Sequence, residues 1–254
     1  MRNRNYILIL VLTLNLISCG QNSFEKELNG KWFSPENDGF TRFYFYPDSL
    51  LLIEDNVLNA KWTANESKIE FDYISQISSQ VSEKDSSKKI LHYTLSKNNN
   101  LLSFKIKDSL KERNFNLVRA QNYFDFLSKT NNVAFKLPTD SLAQHISLNH
   151  QYGFKMFIGT YNGKTIIVSE FGNGIDSIKN DIIKFKQNLK PLDQFHQQKM
   201  ESEIHFRIFA DKSISDKKIE GILQKITQSD IKQAYRIYNS KNFYNFETLL
   251  GKRL

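Results

Sequence analysis

The chain has 254 residues, enough for one large domain or two small ones, and its 40% hydrophobic and 13% aromatic content excludes a disordered chain. Four prolines and ten glycines exclude a fibrous or low-complexity design. The formal charge is +8, but the lysines alternate with acidic residues, as in Glu25-Lys26-Glu27. The basic cluster that nucleic-acid binding requires is therefore missing, and we expect no nucleic-acid partner.

The first predicted element is an export signal. Arg2 and Arg4 precede an apolar run at residues 6–17, and a basic start followed by a short apolar stretch is typical of a secretory signal peptide. The run is too short, and too interrupted by polar residues, for a stable membrane-spanning helix.

The only cysteine, Cys19, directly follows this run in the segment Leu16-Ile17-Ser18-Cys19. The segment resembles the lipobox of bacterial lipoproteins, in which cleavage precedes the cysteine and the thiol carries diacylglycerol. The resemblance implies a signal peptide at residues 1–18, a lipidated Cys19 and a polar tether at residues 19–27. It also implies a lipid anchor in the cell envelope, on the periplasmic side of the outer membrane. The alternative is an ordinary secreted protein with a free cysteine at its cleavage site.

Residues 28–119 predict an all-β domain. Short β-rich segments follow one another at turn spacing without helical periodicity, which indicates a small antiparallel barrel or sandwich. Pro47-Asp48-Ser49 predicts a hairpin turn, and the polar segment at residues 76–89 predicts a loop. The predicted strands are residues 30–33, 40–46, 50–54, 60–63, 68–73, 90–95, 101–107 and 115–119.

Two features of this domain resemble lipocalins. Gly30-Lys31-Trp32 is similar to the lipocalin Gly-x-Trp start, and Arg119 is similar to the arginine that packs on that tryptophan. The resemblance implies a lipocalin-like barrel that a cation–π contact between Arg119 and Trp32 closes at its base. Such a barrel either holds a small apolar ligand or is filled with side chains, and we expect a filled one.

The pattern changes after the last predicted strand. We expect residues 120–150 to form a linker that contains a short helix at residues 120–127. Residues 151–240 predict strand, strand, helix, strand, helix and strand. This order is an α+β domain with two helices on one face of a mixed sheet, and its last three elements are a βαβ unit. Residues 241–254 are expected to form a tail.

Local signals define the elements of this second domain. Asn162-Gly163, between β-rich runs at residues 154–160 and 164–168, predicts a hairpin whose turn residues have positive φ. Ser213 with Asp216 predicts a capping box. Alternation in residues 203–209 predicts that His205 lies on a solvated face. The apolar stripes of the two helices are Ile175, Ile178, Ile182, Phe185 and Leu189, and then Ile219, Ile222, Leu223 and Ile226.

Three segments of this half resemble the periplasmic domain of the ExbD/TolR family of biopolymer transport proteins. They are Phe135-Lys136-Leu137-Pro138, Tyr161-Asn162-Gly163-Lys164 and Phe206-Arg207-Ile208-Phe209-Ala210-Asp211. The resemblance covers about residues 133–240. It implies that the motif residues are Leu137, Pro138, Asn162, Gly163, Arg207, Ala210 and Asp211. Asp211 is either a site residue in the family's sense or a turn former before the second helix.

The chain departs from that family in one respect. Family members carry a membrane helix with a buried acidic residue that takes part in proton conduction, and such a carboxylate is the functional feature of these helices. Here the only apolar segment is the signal, which contains no Asp or Glu, so we expect that the chain conducts no protons. The roles that remain are pairing with a second copy, presenting a sheet edge to a peptide, and contacting peptidoglycan.

No catalytic constellation is recognisable. His145 and His150 are five residues apart, which does not match the helical spacing of zinc proteases, and Gly-x-Ser-x-Gly and P-loop motifs are missing. Gly172-Asn173-Gly174 precedes a helix but lacks the rest of a phosphate loop, so a capped turn is expected. We therefore expect no catalytic residue, metal or cofactor. The expected function is a non-enzymatic envelope lipoprotein that is a partner or adaptor in a motor-type or cell-wall complex; the alternative is a carrier of a small apolar ligand.

Overall fold

The computed structural model describes residues 20–37, 39–54, 57–74, 86–96, 98–107, 112–226, 231–240 and 249–254. The chain divides into two compact units, Met1–Phe126 and Leu127–Leu254. Each unit contains one sheet. Among the described helices, none has both the length and the apolar composition that crossing a bilayer requires.

The first unit is a nine-stranded antiparallel sheet that is nearly closed. Its strand order is β4-β3-β2-β1-β9-β8-β7-β6-β5. The two end strands, β4 and β5, are consecutive in the chain and separated only by Lys61. The Asp72 N–H, in β6, donates to the Lys61 carbonyl at 3.2 Å, so the sheet curls back on itself. The strands are β1 (Gly30–Phe33), β2 (Arg42–Phe45), β3 (Leu50–Ile53), β4 (Val57–Ala60), β5 (Trp62–Ala64), β6 (Lys68–Ile74), β7 (Ser86–Leu95), β8 (Leu101–Lys107) and β9 (Glu112–Arg119).

Side chains fill the interior of this sheet. The rings of Phe45 and Trp62 meet edge to face at 4.8 Å, and those of Phe43 and Phe104 meet at 5.2 Å. A cavity beside Leu50 has a volume of about 10 Å³, which is no more than one water molecule needs. The buried cluster is Leu28, Trp32, Phe43, Phe45, Leu50, Trp62, Ala64, Ile69, Phe71, Leu91, Tyr93, Leu102, Phe104 and Leu117.

The β-rich character of this half is confirmed, and several boundaries differ from prediction. β2 and β3 form the predicted hairpin around Pro47. The predicted strand at residues 60–63 is instead split between β4 and β5, because the chain crosses there from one end of the sheet to the other. β7 begins at Ser86, inside the predicted loop, and residues 76–85 of that loop lie outside the described residues.

A short helix, α1 (Ser23–Leu28), occupies the segment that was predicted to be a tether. A capping box explains it: the Asn22 side chain accepts from the Glu25 N–H at 2.9 Å, and the Glu25 carboxylate accepts from the Asn22 N–H at 3.0 Å. Leu28 is buried at the end of the helix, and its carbonyl accepts from the indole N–H of Trp32 at 2.8 Å.

The predicted helix at residues 120–127 is α2 (Tyr123–Thr130). It starts later than predicted, because the Asn122 side chain caps it by accepting from the N–H groups of Phe124 and Asp125, each at 3.0 Å. Within the first unit, Phe126 stacks on Phe33 of β1 with a centroid separation of 5.3 Å. The start of α2 therefore packs against the outer side of the sheet.

The second unit contains a six-stranded mixed sheet with order β10-β15-β14-β13-β11-β12. The pairs β11–β13 and β13–β14 are parallel, and the other pairs are antiparallel. Asn162 and Gly163, with φ of 48° and 74°, form the predicted turn between β11 and β12. The elements are β10 (Gln144–His145), β11 (Gly153–Tyr161), β12 (Lys164–Ser169), α3 (Ile178–Phe195), α4 (Met200–Glu203), β13 (His205–Ala210), α5 (Asp216–Ile226), β14 (Gln233–Tyr238) and β15 (Leu250–Arg253).

Helices α3 and α5 bury their apolar stripes on the same face of this sheet, so the predicted α+β arrangement is confirmed at this level. Ile182 and Phe185 of α3 and Ile219 of α5 share one core cluster with Phe154 and other strand residues. Ile175 lies before α3 and is partly exposed. At the start of α5, the predicted cap is wrong: Ser215, rather than Ser213, accepts from the Lys218 N–H.

The other face of the sheet is also covered, which the sequence analysis did not predict. Phe135 stacks on Phe157 of β11 with a centroid separation of 6.1 Å, and Ile146 is buried beside Gly251 of β15. The predicted linker therefore packs on the sheet and contributes β10. The prediction that His205 is solvated is wrong, because β13 lies between two strands and is buried on both faces: His205 is 0% exposed.

The predicted tail also differs from the structure. β15 lies within residues 241–254 and pairs antiparallel with β14, whereas residues 241–248 lie outside the described residues. The sheet therefore has two more strands, β10 and β15, than the sequence pattern indicates.

Candidate functional site

A short segment crosses the carboxyl ends of the three parallel strands of the second unit. We call residues 134–138 the strap. Ala134 exchanges two backbone hydrogen bonds of 2.9 Å with Thr160, the Lys136 carbonyl accepts from the Lys212 N–H at 2.7 Å, and the Pro138 carbonyl accepts from the Asn239 N–H at 2.8 Å. The strap thus forms a backbone bond at the end of β11, β13 and β14 in turn.

Asp211 fastens the strap to the turn that follows β13. Its carboxylate accepts from the Lys136 N–H at 2.7 Å, and from the N–H and hydroxyl of Ser213 at 2.9 and 2.6 Å. Burial opposes ionisation of Asp211, but the hydrogen bonds from Ser213 and Lys136 outweigh it and lower the pKa of this carboxyl. These contacts match the turn-forming alternative for Asp211.

A charged cluster lies beside the strap. Arg236 is only 5% exposed. It donates to the Asp216 carboxylate at 2.6 Å and to the Asp211 carbonyl at 3.1 Å, and its guanidinium lies 6.0 Å from the ring of Tyr238. Burial, and the nearby Asp216 carboxylate, raise the pKa of the Tyr238 phenol. Because the charges are paired, the cluster is suited to holding the end of the sheet together.

The same region contains one further ion pair. Lys252 of β15 lies 2.8 Å from the carboxylate of Asp140, just beyond the strap. This hydrogen bond lowers the pKa of Asp140 and raises that of Lys252. The pair is partly exposed, so its contribution to stability is small. Neither this pair nor Arg236 is predicted from the sequence, because their partners are distant in the chain.

Arg207 lies elsewhere, on the sheet face opposite α3 and α5. It is fully buried, and its Nε donates to His205 Nε2 at 3.0 Å. His205 Nδ1 lies 2.7 Å from the Glu203 carbonyl, so Nδ1 carries the proton and Nε2 the lone pair. Burial, together with the charge of Arg207, lowers the pKa of His205 to about 4. A Cβ atom on Gly153 would lie 2.5 Å from Arg207 Nε, so only glycine fits there.

The structure brings some of the predicted residues together and separates others. Leu137 and Pro138 lie in the strap, and Asp211, which follows Ala210 at the end of β13, binds the strap through the Lys136 N–H. Arg207 does not join them. Asn162 and Gly163 form the β11–β12 turn, and Cys19 lies outside the described residues.

In the first unit, Arg119 and Trp32 are in contact as the resemblance implies. The Arg119 guanidinium lies 4.4 Å from the centroid of the Trp32 ring. Arg119 also donates to the backbone carbonyls of Asn29 and Glu27. The contact joins β1 and β9, whose register pairs these two residues.

Strand β12 forms an open edge of the second unit's sheet. In an antiparallel pair, successive residues direct their backbone groups alternately toward and away from the partner strand. Thr160 of β11 uses its N–H and C=O for Ala134, so its pair partner Thr165 directs both of its own groups away from β11. By the same alternation, Ile167 also faces outward.

Within the described part of the chain, one end of this edge, from Ile167 to Ser169, is covered. The Ser169 N–H donates to the Asn173 carbonyl at 2.9 Å, and Val168 forms an isolated bridge with Gly174. Ile166 and Ile167 project to opposite faces of the sheet and are half-buried. The edge therefore offers backbone groups between half-buried apolar side chains, and exposed edges of this kind pair readily with an added strand.

The remaining candidate groups form no metal or phosphate site among the described residues. No cluster of three or more His, Cys, Asp or Glu side chains there is arranged to hold a metal ion. The Asn173 side chain donates to the Asp181 carboxylate at 2.8 Å, and Ser169 donates to it at 2.5 Å. The Gly172-Asn173-Gly174 segment is thus a turn that is fastened to α3.

Comparison with known proteins found no family model, no curated protein and no solved structure that matches this chain.

Proposed function

We propose that this chain is a non-enzymatic, lipid-anchored lipoprotein of the cell envelope that acts as a partner or adaptor in an envelope complex. The anchor is the diacylglycerol that the lipobox-like segment assigns to Cys19. The partner is an envelope protein of a motor-type or cell-wall assembly. The second unit makes the contact, and the chain itself conducts no protons.

The observation that supports this proposal most strongly is the open edge at β12. Thr165 directs its N–H and C=O outward, beyond the part of the edge that the Val168–Gly174 bridge covers, and the half-buried side chains of Ile166 and Ile167 flank that edge on both faces. An extended peptide that adds a strand there gains main-chain hydrogen bonds and buries these side chains. The strap closes the carboxyl ends of the parallel strands, so the edge is the more accessible surface for a partner segment.

The same proposal includes the two family assignments. The first unit is a lipocalin-like barrel, for which the Arg119–Trp32 contact is the supporting geometry. The second unit is related to the periplasmic domain of the ExbD/TolR family, for which the supporting feature is the hydrogen bond from the Lys136 N–H to Asp211, which fastens the strap that contains Leu137 and Pro138. A second copy of the chain and peptidoglycan are further partners consistent with that relation.

The packing of the first unit favours an adaptor over a ligand carrier. Its interior is occupied by aromatic and aliphatic side chains, and the cavity beside Leu50 holds about 10 Å³. A larger pocket of about 360 Å³ lies over β7, β8 and β9, but exposed polar side chains such as His92, Lys105 and Asn116 line it, so it belongs to the outer surface and does not suit an apolar ligand. A carrier of a small apolar ligand requires a cavity of several hundred Å³. The structural role that such packing supports is that of a stable platform.

A proline substitution at the edge tests the proposal. Thr165→Pro removes an N–H that points away from β11, so the sheet keeps its own hydrogen bonds while an added strand loses one. Thr165→Val is the matched control, because it keeps the N–H. After crosslinking in cells and purification, we expect an envelope protein to be recovered with wild type and Thr165→Val and to be depleted with Thr165→Pro. Equal recovery with all three chains would show that β12 is not the contact.

A further inference from the structure

A pocket of about 330 Å³ opens at the amino ends of β11 and β13, at the opposite end of these strands from the strap. Its walls come from the end of α3, from α4 and from the turn before β11. Its volume lies within the range of small-ligand sites. Its lining combines one aromatic ring, one imidazole, two amides and two opposite charges: Asn149, Phe195, His196, Gln197, Lys199 and Glu203.

The two charges lie on the same wall, and neither forms an ion pair with a side chain of the described residues. Glu203 Oε2 accepts from the Asn149 N–H at 2.9 Å, which fixes the carboxylate, and its other oxygen has no hydrogen-bond partner within the described part of the chain. Lys199 precedes Glu203 by four residues, so the two side chains lie on one side of α4. No described acidic side chain forms an ion pair with Lys199. The wall thus presents one anion and one cation.

An aromatic group borders the charges. Phe195 is 81% exposed, the largest fraction among the large hydrophobic residues described. The centroid of its ring lies 5.2 Å from the centroid of the His196 ring. The His196 ring in turn lies 6.2 Å, centroid to centroid, from the ring of Tyr152. Burying the Phe195 ring against the apolar part of a ligand would be favourable, because it removes apolar area from water.

The innermost of these three rings, Tyr152, carries a buried hydroxyl without a hydrogen-bond partner among the described residues. Tyr152 as a whole is fully buried, and the lack of a partner is unfavourable for a buried donor. Burial, together with the nearby carboxylates of Asp193 and Glu203, raises the pKa of this phenol. Tyr152 is not among the residues that line the pocket, so its hydroxyl is a buried donor behind the pocket wall and not a ligand contact.

We propose that this pocket binds a small zwitterion of the α-amino-acid class. The ammonium group contacts Glu203, the carboxylate contacts Lys199, and an apolar side chain packs on Phe195. A simple anion would be repelled by Glu203 and a simple cation by Lys199, whereas a zwitterion pairs with both. The pocket lies apart from the β12 edge and does not depend on the adaptor function.

Blocked ligands test the proposal on the full-length chain. Calorimetric titration compares free L-leucine with N-acetyl-L-leucine, which lacks the ammonium, and with L-leucinamide, which lacks the carboxylate. We expect free leucine to bind, and each blocked form to bind at least about tenfold more weakly, since each loses one charge-assisted contact. Equal affinity for leucine and leucinamide, or no heat from leucine at millimolar concentration, overturns the proposal.

Two charge-neutralising variants assign the contacts. Lys199→Gln is expected to weaken leucine binding about tenfold and to leave leucinamide binding unchanged or tighter, because leucinamide has no carboxylate and its ammonium no longer faces a lysine. Glu203→Gln, which keeps an oxygen to accept from the Asn149 N–H, is expected to weaken both ligands. Glu220→Gln in α5 is the matched exposed control and is expected to bind leucine as wild type does. If circular dichroism shows that Glu203→Gln does not fold, Lys199→Gln alone tests the proposal. Unchanged leucine affinity in Lys199→Gln overturns it.

Discussion

Acidification is expected to destabilise the second unit through one buried side chain, His205. In the folded chain, its Nε2 accepts from Arg207 and its pKa is about 4, whereas an unfolded histidine titrates near 6.5. Between these values the unfolded state binds more protons than the folded state, so the free energy of unfolding falls as the pH falls. Proton linkage at this one histidine lowers the free energy of unfolding of the second unit by about 2.5 kcal/mol between about pH 7 and about pH 4.5.

Urea unfolding at the two pH values measures this loss. Circular dichroism follows both units, while tryptophan emission reports only the first unit, because Trp32 and Trp62 both lie there. We expect the transition of the second unit to shift to lower urea at about pH 4.5. Acidic groups that all variants share also titrate in this window. The shift of the urea transition between the two pH values is therefore compared between variants.

His205→Gln supplies that comparison, because its amide oxygen can still accept from Arg207 but cannot titrate. We expect the variant to lose most of the pH-dependent shift, and the exposed-site control His92→Gln to retain it. If wild type and His205→Gln shift equally, the buried imidazole is not the source of the pH dependence and the reasoning is refuted.

Three further predictions concern glycine packing, the strap and the anchor. Gly153→Ala places a Cβ against buried Arg207 and is expected to destabilise the second unit by about 2–3 kcal/mol in urea unfolding; Gly221→Ala, which meets no atom within 4 Å, is expected to leave stability equal or higher. Asp211→Ala is expected to cost about 2 kcal/mol and to speed hydrogen exchange at the Lys136 amide; unchanged exchange would contradict the fastening role. Cys19→Ala is expected to move the chain from the membrane to the soluble fraction without altering its circular dichroism, and a variant still bound to membrane would show that the lipid is not the anchor.

Sequence alone predicted the elements whose signals are local. Asn162-Gly163 predicts its turn because both residues tolerate positive φ, and the structure has both at positive φ. The stripes of α3 and α5 predict their buried faces because a helix places residues three and four apart on one side. The capping box of Asn22 and Glu25 was equally local, but it lies in a six-residue helix without an apolar stripe.

The features that were missed depend on distant parts of the chain. The strap is held by backbone groups of residues 160, 212 and 239, and backbone hydrogen bonds leave no residue pattern from which they can be inferred. The alternation around His205 correctly places it opposite Ile204 and Phe206, but it says nothing of what covers that second face. There the segment that was expected to be a linker packs on the sheet, and the Leu148 carbonyl lies 3.5 Å from Arg207 Nη2.

The most direct test of the proposed function is a photo-crosslink from the β12 edge in living cells. A photoreactive amino acid replaces Ile166 in the otherwise native, lipid-anchored chain, and the products are separated by mass and identified by peptide sequencing. The account predicts one dominant product that joins β12 to an envelope protein and disappears with Thr165→Pro. Illumination that yields no product above the mass of the chain itself would contradict it.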